Sequence, residues 1–310
     1  MIRRRIVVLG KNRLAVECLR TIQAAGDDVV LALADSSDSG EDGWQPSFRR
    51  FASAAGLPVR APVDVNAPAF VTEIAELRPD FLLSFQASQL LKQPLLKTPA
   101  MAAINLHFGP LPRYRGVAPI AWALINGEAA TGVTLHHMTA GVDDGPVIGS
   151  KAVPIASEDT GRSVYDKCAE AGIDLFRESW PSIRRRVPAG IPQPPGEALY
   201  YNRHSIDFSQ RAVSWQGDCE AIANRVRALI FPPFQFPLIR LGRIEFEVSW
   251  VRSDRQPHRG RPGEILMAGD DGITVAAPGG RVRLRLQDSG GSVEPTRYAR
   301  LGIAAGAMLS

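Results

Sequence analysis

Within the first 110 or so residues, four short apolar runs recur, at residues 5–9, 29–34, 81–85 and 102–106. Each is the length of a strand and is followed by glycine or polar residues. The intervening segments 14–24, 48–55 and 70–77 carry apolar residues at helical spacing, with Gly56 and Pro79 as stop signals. Strands that alternate with helices in this way predict a mostly parallel, Rossmann-like sheet with helices on both faces.

Beyond Gly127 the pattern changes. Residues 132–138 and 147–155 read as two strands flanking the loop 139–146, and 163–180 reads as a helix. Residues 184–196 hold Pro188, Pro192, Pro194 and Pro195, the composition of a semi-rigid linker. The expected division is a larger α/β domain over 1–190 and a smaller domain over 200–310. In the latter a helix at 219–230 is broken by Phe231-Pro232-Pro233-Phe234-Gln235-Phe236-Pro237. Alternating runs at 244–248, 273–275 and 282–286, separated by Gly-rich turns, then predict a small antiparallel, OB- or barrel-like sheet. The fold class expected is therefore α/β, with a β-rich C-terminal domain.

Composition narrows the function classes. Hydrophobic residues form 45% and charged residues 22% of the 310, which argues against disordered and fibrous architectures. No apolar run approaches the ~18–20 residues of a membrane span, and the basic start Arg3-Arg4-Arg5 has no cleavage site after it, so no signal peptide is read. Cys18, Cys168 and Cys219 are too far apart for a disulfide framework or a CxxC pair, which points to a reducing cytoplasm and no metal site. The net charge of +4 lies wholly in residues 201–310, which carry 15 arginines against 11 acids, while the first 200 residues balance. An anionic partner and an Arg-rich solvated β-domain both fit that excess. The turn Gly10-Lys11-Asn12-Arg13 lacks both the G-x-G-x-x-G and the P-loop spacing, so dinucleotide binding loses its main support.

The chemically informative stretch runs from Ile104 to Pro146. Asn105 and His107, two apart at a strand's end, project from one face, at the sheet edge where ligands collect in open α/β folds. Arg113 and Arg115 add cationic donors in a Gly- and Pro-stiffened loop, and Asp143 and Asp144 form a second polar cluster. An amide and an imidazole can both donate to an oxygen that becomes negative during acyl transfer, at ~3–4 kcal/mol each. A carboxylate beside the histidine favours its protonated form and can collect a proton from an attacking amine. With no nucleophilic Ser or Cys in evidence, direct acyl transfer fits better than a covalent intermediate, and a satisfied histidine in a rigid turn is the competing reading.

At these residues the sequence resembles the formyltetrahydrofolate-dependent formyltransferases. The resemblance rests on Asn105-x-His107, on Leu111-Pro112-x-Tyr114-Arg115-Gly116, on Asn126-Gly127-Glu128 leading into Thr131-Gly132-Val133-Thr134-Leu135-His136, and on Asp143-x-Gly145, 36 residues after His107. Residues 59–91, with Ala61-Pro62-x-Asp64-Val65-Asn66 and Arg78-Pro79-Asp80, are similar to the sugar-modifying, aminoarabinose formyltransferase-like branch of that family. Arg227-Ala228 and Pro232-Pro233 match its second domain more loosely.

The resemblance implies N10-formyltetrahydrofolate as co-substrate, with no metal. It implies that Asn105 and His107 polarise the formyl oxygen, and that Asp143 pairs with His107 and helps deprotonate the substrate ammonium. Phe85, Gln86, Ser88, Gln89, Leu90, His136 and Gly141 are its implied folate-binding positions. Gly109 stands where many relatives carry Ser.

The acceptor is expected to be a small primary amine, foremost the amino group of a nucleotide-linked sugar. Arg113, Tyr114, Arg115 and Arg203 are the candidate substrate-binding residues, Arg because it contacts phosphate bidentately, and Tyr200 or Tyr201 could stack on a base. Methionyl-tRNA formyltransferases resemble one another in a basic insertion after the second strand. Here residues 35–44 hold four acids and no base, which would repel a phosphate backbone, so nucleic acid is not expected as a partner. Transfer to tRNA or to a hydroxyornithine-type amine remain the alternatives. No membrane partner is expected, and the expected assembly is a homodimer through the C-terminal domain.

Overall fold

The computed structural model describes residues 3–60 and 63–310. Ala61 and Pro62 of the resemblance lie outside the described residues. The chain forms two compact units. The first comprises the chain up to Pro119 with Thr131–Val153 and Asp166–Asn202, and the second comprises Ile120–Ala130, Pro154–Tyr165 and Arg203–Ser310.

The first unit is built on β1 (Arg5–Gly10), α1 (Asn12–Ala24), β2 (Asp28–Ala34), α2 (Phe48–Ala54), β3 (Val59–Arg60), α3 (Pro68–Glu76), β4 (Phe81–Phe85), α4 (Gln93–Leu96), β5 (Ala102–His107) and β6 (Arg115–Gly116). After α5 (Pro119–Ile125) come β7 (Ala130–His137), β8 (Val147–Pro154), α6 (Gly161–Ile183) and β9 (Tyr200–Tyr201). The seven-stranded sheet has the order β3-β2-β1-β4-β5-β7-β8. Its first five strands are parallel, and β7 runs antiparallel to β5. The α/β expectation holds. Ile6, Val7, Val8 and Leu9 are at most 2% exposed, as are Phe81, Leu82, Leu83 and Phe85. Strands covered on both faces must be apolar throughout, which is why these runs do not alternate. In α1, Leu14, Cys18, Leu19 and Ile22 turn one stripe to the sheet.

The strand order reverses between β1 and β4. The loops that leave their carboxyl ends meet there, with the Lys11 amide donating to the Phe85 carbonyl at 3.2 Å. Such a reversal opens the crevice in which α/β sheets take ligands.

At the opposite end of β2, the Asp27 carboxylate has no exposed surface and is compensated on every side. It accepts from Trp180 Nε1 at 3.0 Å, from Arg184 Nε and Nη2 at 2.8 and 2.6 Å, and from the Arg4 amide at 3.1 Å. Trp180 also packs edge-on to Phe81 and stacks on Phe176, so this polar clamp fixes α6 to the sheet.

In the second unit, α7 (Cys219–Leu229) lies on an antiparallel sheet of β10 (Leu238–Leu241), β11 (Ile244–Asp254), β12 (Ile265–Gly269), β13 (Gly272–Ala277), β14 (Gly280–Asp288) and β15 (Gly291–Ser292). The main path is β10-β11-β14-β13-β12, and β15 pairs with β14. Asp218 caps α7 by accepting from the Glu220 and Ala221 amides. Ile222, Ala223 and Val226 then join Phe246, Val248, Ile273, Val275, Val282 and Leu284 in one core. Residues 154–165 pack here too, with Trp250 Nε1 donating to Glu158 at 2.7 Å and the Arg162 guanidinium to the Pro232 carbonyl at 2.6 Å. The three cysteines are free and buried. Among the described residues no helix is long and apolar enough to cross a membrane.

Removing one partner of a buried charge pair leaves the other uncompensated, at about 3–5 kcal/mol. Asp27→Ala is therefore expected to lower the thermal midpoint by several degrees, measured by circular dichroism, and a midpoint within a degree of wild type would refute this account of Asp27.

Candidate active site

Asn105 and His107 lie on β5, facing β7 in the register Asn105 to His136 and His107 to Thr134. That pairing places the second histidine beside the amide. Asn105 Nδ2 is 3.2 Å from His136 Nε2, and His136 Nδ1 donates to the His137 carbonyl at 2.8 Å. This Nε2 contact holds the Asn105 amide in place, with an amide N–H left to donate.

The loop between β7 and β8 returns Asp143 to the same place. Its Oδ2 accepts from the Gly116 amide at 2.9 Å and lies 3.5 Å from His107 Nδ1, while its Oδ1 is 3.4 Å from His136 Nε2. The side chains of His107, His136 and Asp143 are 8%, 2% and 14% exposed. His107 Nε2 donates to the Tyr114 carbonyl at 2.8 Å. Both His107 nitrogens thus face acceptors, and only the imidazolium can donate to both.

Burial pulls the His107 imidazole below its ordinary value, opposed by the Asp143 carboxylate and the Tyr114 carbonyl. For Asp143 burial pushes upward, but His107, His136 and the Gly116 amide together hold the carboxyl well below the ordinary carboxylate range. A carboxylate so stabilised is a weak base. Its main effect is to stabilise positive charge on His107.

Backbone geometry keeps this cluster tight. Asp143 and Tyr114 occupy the left-handed region at φ 50° and 61°. At Gly109, a Cβ would come within 2.6 Å of His107 Nε2 and 3.0 Å of the Tyr114 oxygen. This chain leaves no room for a side chain there.

The other implied site residues fall in several places. Tyr114 is only 1% exposed and stacks on Tyr201 at 5.9 Å, so its carbonyl rather than its ring serves the site. Arg115 spends Nε and Nη2 on Gln193 Oε1, at 3.0 and 2.7 Å. Arg113 is exposed, its guanidinium 5.2 Å from the Tyr114 ring. Arg203 is exposed and belongs to the second unit. Gly141, in the Asp143 loop, lies against the Asp144 carboxylate.

In the loop after β4, Phe85 is buried against Phe176. Gln86 is left-handed at φ 61°, Gln89 bonds the Val65 amide and the Val63 carbonyl, and Leu90 is 54% exposed. Ser88 is fixed by Asp35, whose Oδ2 accepts from both its amide and its hydroxyl, at 2.7 and 2.6 Å.

Sequence reasoning missed Asp35, the Gly116 amide, the Tyr114 carbonyl and Gln193. Only Asp35 carried a signal, as an acid at the end of β2 next to the crevice. Among the described residues no group of three or more His, Cys, Asp or Glu is placed to hold a metal.

The formyl transferase model matches residues 4–179, and the formyl transferase C-terminal domain model matches 205–297. Among solved structures, the N-formyltransferase from Helicobacter canadensis, in complex with folinic acid and dTDP-3-aminofucose, is 23% identical with a TM-score of 0.77, over 92% of this chain and 100% of its own. WlaRD, a sugar 3N-formyl transferase in the presence of dTDP and 5-N-formyl-THF, is 21% identical with a TM-score of 0.76, over 93% and 100%. HypX from Aquifex aeolicus, in complex with tetrahydrofolic acid, is 19% identical with a TM-score of 0.61, over 96% of this chain and 47% of HypX. At these identities the likeness is one of fold.

Two outcomes test the geometry. Gly109→Ala should lower kcat at least tenfold, because sub-ångström displacement of a reacting group is enough for that; turnover within twofold of wild type would refute the tight-packing account. For Asp35, burial pushes the carboxyl up, but hydrogen bonds from Ser88 and Ser37 outweigh it and hold it at about 2. A depressed carboxyl contributes stability above its unfolded value of about 3.9 and loses it as pH falls through the folded value. Urea midpoints should therefore separate wild type from Asp35→Asn at neutral pH and converge between about pH 4 and pH 2.

Proposed function

The chain belongs to the formyl transferase family, and from that premise we propose that it moves a formyl group from N10-formyltetrahydrofolate to the primary amine of a nucleotide-linked aminosugar. The observation that carries this reading is the convergence of Asn105, His107 and Asp143 on one buried point at the carboxyl end of β5.

The donor set fits a formyl carrier. The folate supplies an activated one-carbon acyl group, and the chain has to position it, stabilise charge and manage protons. The free Asn105 N–H is aligned by His136 and can donate to the formyl oxygen as negative charge develops there, an interaction worth about 3–4 kcal/mol in comparable sites. His107, held neutral by burial, can accept the proton released by the attacking amine, and its two acceptors then satisfy both N–H groups of the imidazolium. Asp143 stabilises that cation and stays ionised throughout. The loop 85–90 would hold the pterin largely through its backbone, with Ser88 fixed by Asp35.

Two features support an aminosugar over tRNA. The acidic loop after β2 is folded onto α2. Asp38 accepts from Ser47 Oγ at 2.6 Å and from the Gly40 and Arg49 amides, and Glu41 and Asp42 lie 3.6 and 3.5 Å from Arg50. It offers no cationic surface to a phosphate backbone. The second is the Helicobacter canadensis enzyme and WlaRD, solved with dTDP-3-aminofucose and dTDP, which share the fold over most of both chains.

The purified protein should formylate a pool of nucleotide aminosugars when given N10-formyltetrahydrofolate, detected by a mass increase of one carbonyl. Modification of charged initiator tRNA alone would overturn the acceptor assignment. His107→Ala and Asp143→Asn should each reduce kcat at least a hundredfold while calorimetric folate binding stays within severalfold, and near-normal turnover in either would overturn the assigned roles.

A further inference from the structure

Residues 188–201 form a strap across the catalytic loops. The His137 imidazole donates to the Pro188 carbonyl at 2.8 Å, and Val147 and Ile191 exchange backbone hydrogen bonds at 2.8 Å each. Further on, β9 pairs in parallel with β6, the Arg115 amide donating to the Leu199 carbonyl and the Val117 amide to the Tyr201 carbonyl, both at 2.8 Å. A Cβ on Gly116 would collide with the Tyr201 carbonyl, so only glycine lets the two strands close.

Between these stitches sits Gln193, half-buried, with its amide in four hydrogen bonds. Nε2 donates to the carbonyls of Asp143 and Gly145 at 2.8 and 2.7 Å, and Oε1 accepts twice from the Arg115 guanidinium at 3.0 and 2.7 Å. The residue after Arg115 is Gly116, whose amide holds the Asp143 carboxylate at 2.9 Å. A ring therefore closes: Gln193 grips the backbone of Asp143 from one side, and from the other it fixes the segment that grips the Asp143 side chain.

We infer that Gln193 is a positioning residue of the transfer reaction, and that the strap it belongs to is part of the catalytic apparatus. The inference rests on the reading of His107 and Asp143 as reacting groups. Asp143 holds a left-handed backbone at φ 50°, a conformation that a non-glycine residue keeps only where its surroundings over-determine it. Gln193 supplies both donors that bond the carbonyls on either side of Asp144. Without them the loop relaxes, and the carboxylate moves away from His107.

The test compares wild type with Gln193→Met, which keeps the length and loses all four bonds, and with Gln193→Glu, which keeps the Arg115 bonds and sets an acceptor against two carbonyls. Both should lower kcat at least tenfold with the KM for N10-formyltetrahydrofolate within twofold, the split expected when catalytic alignment is lost and binding is not. A second readout needs no substrate. Carbon-13 NMR of labelled imidazoles should show His107, which faces Asp143 and His136 as its titrating neighbours, titrating at lower pH in Gln193→Met, because a receding carboxylate stabilises the imidazolium less. That shift supports the strap even if no aminosugar is formylated, which would overturn only the acceptor assignment. Turnover within twofold of wild type together with an unmoved His107 titration would overturn the inference.

Discussion

A carboxylate carried into a protein interior must be compensated by donors, and the first unit is organised round that requirement at Asp143. Its oxygens meet a backbone amide and two imidazoles, each delivered by a different element: the amide by the segment at β6, His107 by β5 and His136 by β7. The antiparallel joining of β7 to β5 brings both histidines to one carboxylate. Had β7 continued the parallel order of the sheet, His136 would face another neighbour and the Asn105 amide would lose the ring that orients it. Sheet topology and active-site chemistry are here the same constraint.

Much of this was legible in the chain because burial on both faces leaves no freedom of residue type. The runs at 5–9, 81–85 and 102–106 are mostly apolar for that reason, and each lies within a strand of the first sheet. Asn105 and His107 could be singled out as polar residues at the end of an apolar strand, Asp143 as an acid in a glycine-containing turn, and all three from the family resemblance. What could not be read were contacts made by groups without a signature of their own. The Tyr114 carbonyl and the Gly116 amide are backbone atoms that every sequence has. Tyr114 looked like a ligand-facing aromatic, but its left-handed φ of 61° turns its carbonyl to His107 while the ring is buried against Tyr201. The two-residue strands β3, β6 and β9 are too short for periodicity to show.

The charge pattern has a similar history. A positive sum suggested polyanions, yet it lies in residues 201–310, where the arginines of β14 alternate with Val282, Leu284 and Leu286 of the core. In the first unit, the acids after β2 hold structure rather than a partner. Asp35 fixes the loop after β4, and Asp38 organises the entry to α2. Counted as formal charges they describe a repulsive surface, and counted as hydrogen-bond acceptors they describe a scaffold. The second description explains why no basic residue appears among them.

The proline-rich stretch read as a linker turns out to be stitched to β6, β8 and the loop that carries Asp143. The catalytic unit is therefore completed by chain that lies beyond residue 179, where the match to the formyl transferase model ends. During synthesis the last strand of this unit, β9, emerges only when Tyr201 has been made, so the His107–Asp143 cluster gains its full set of supports after all of its own residues have been made.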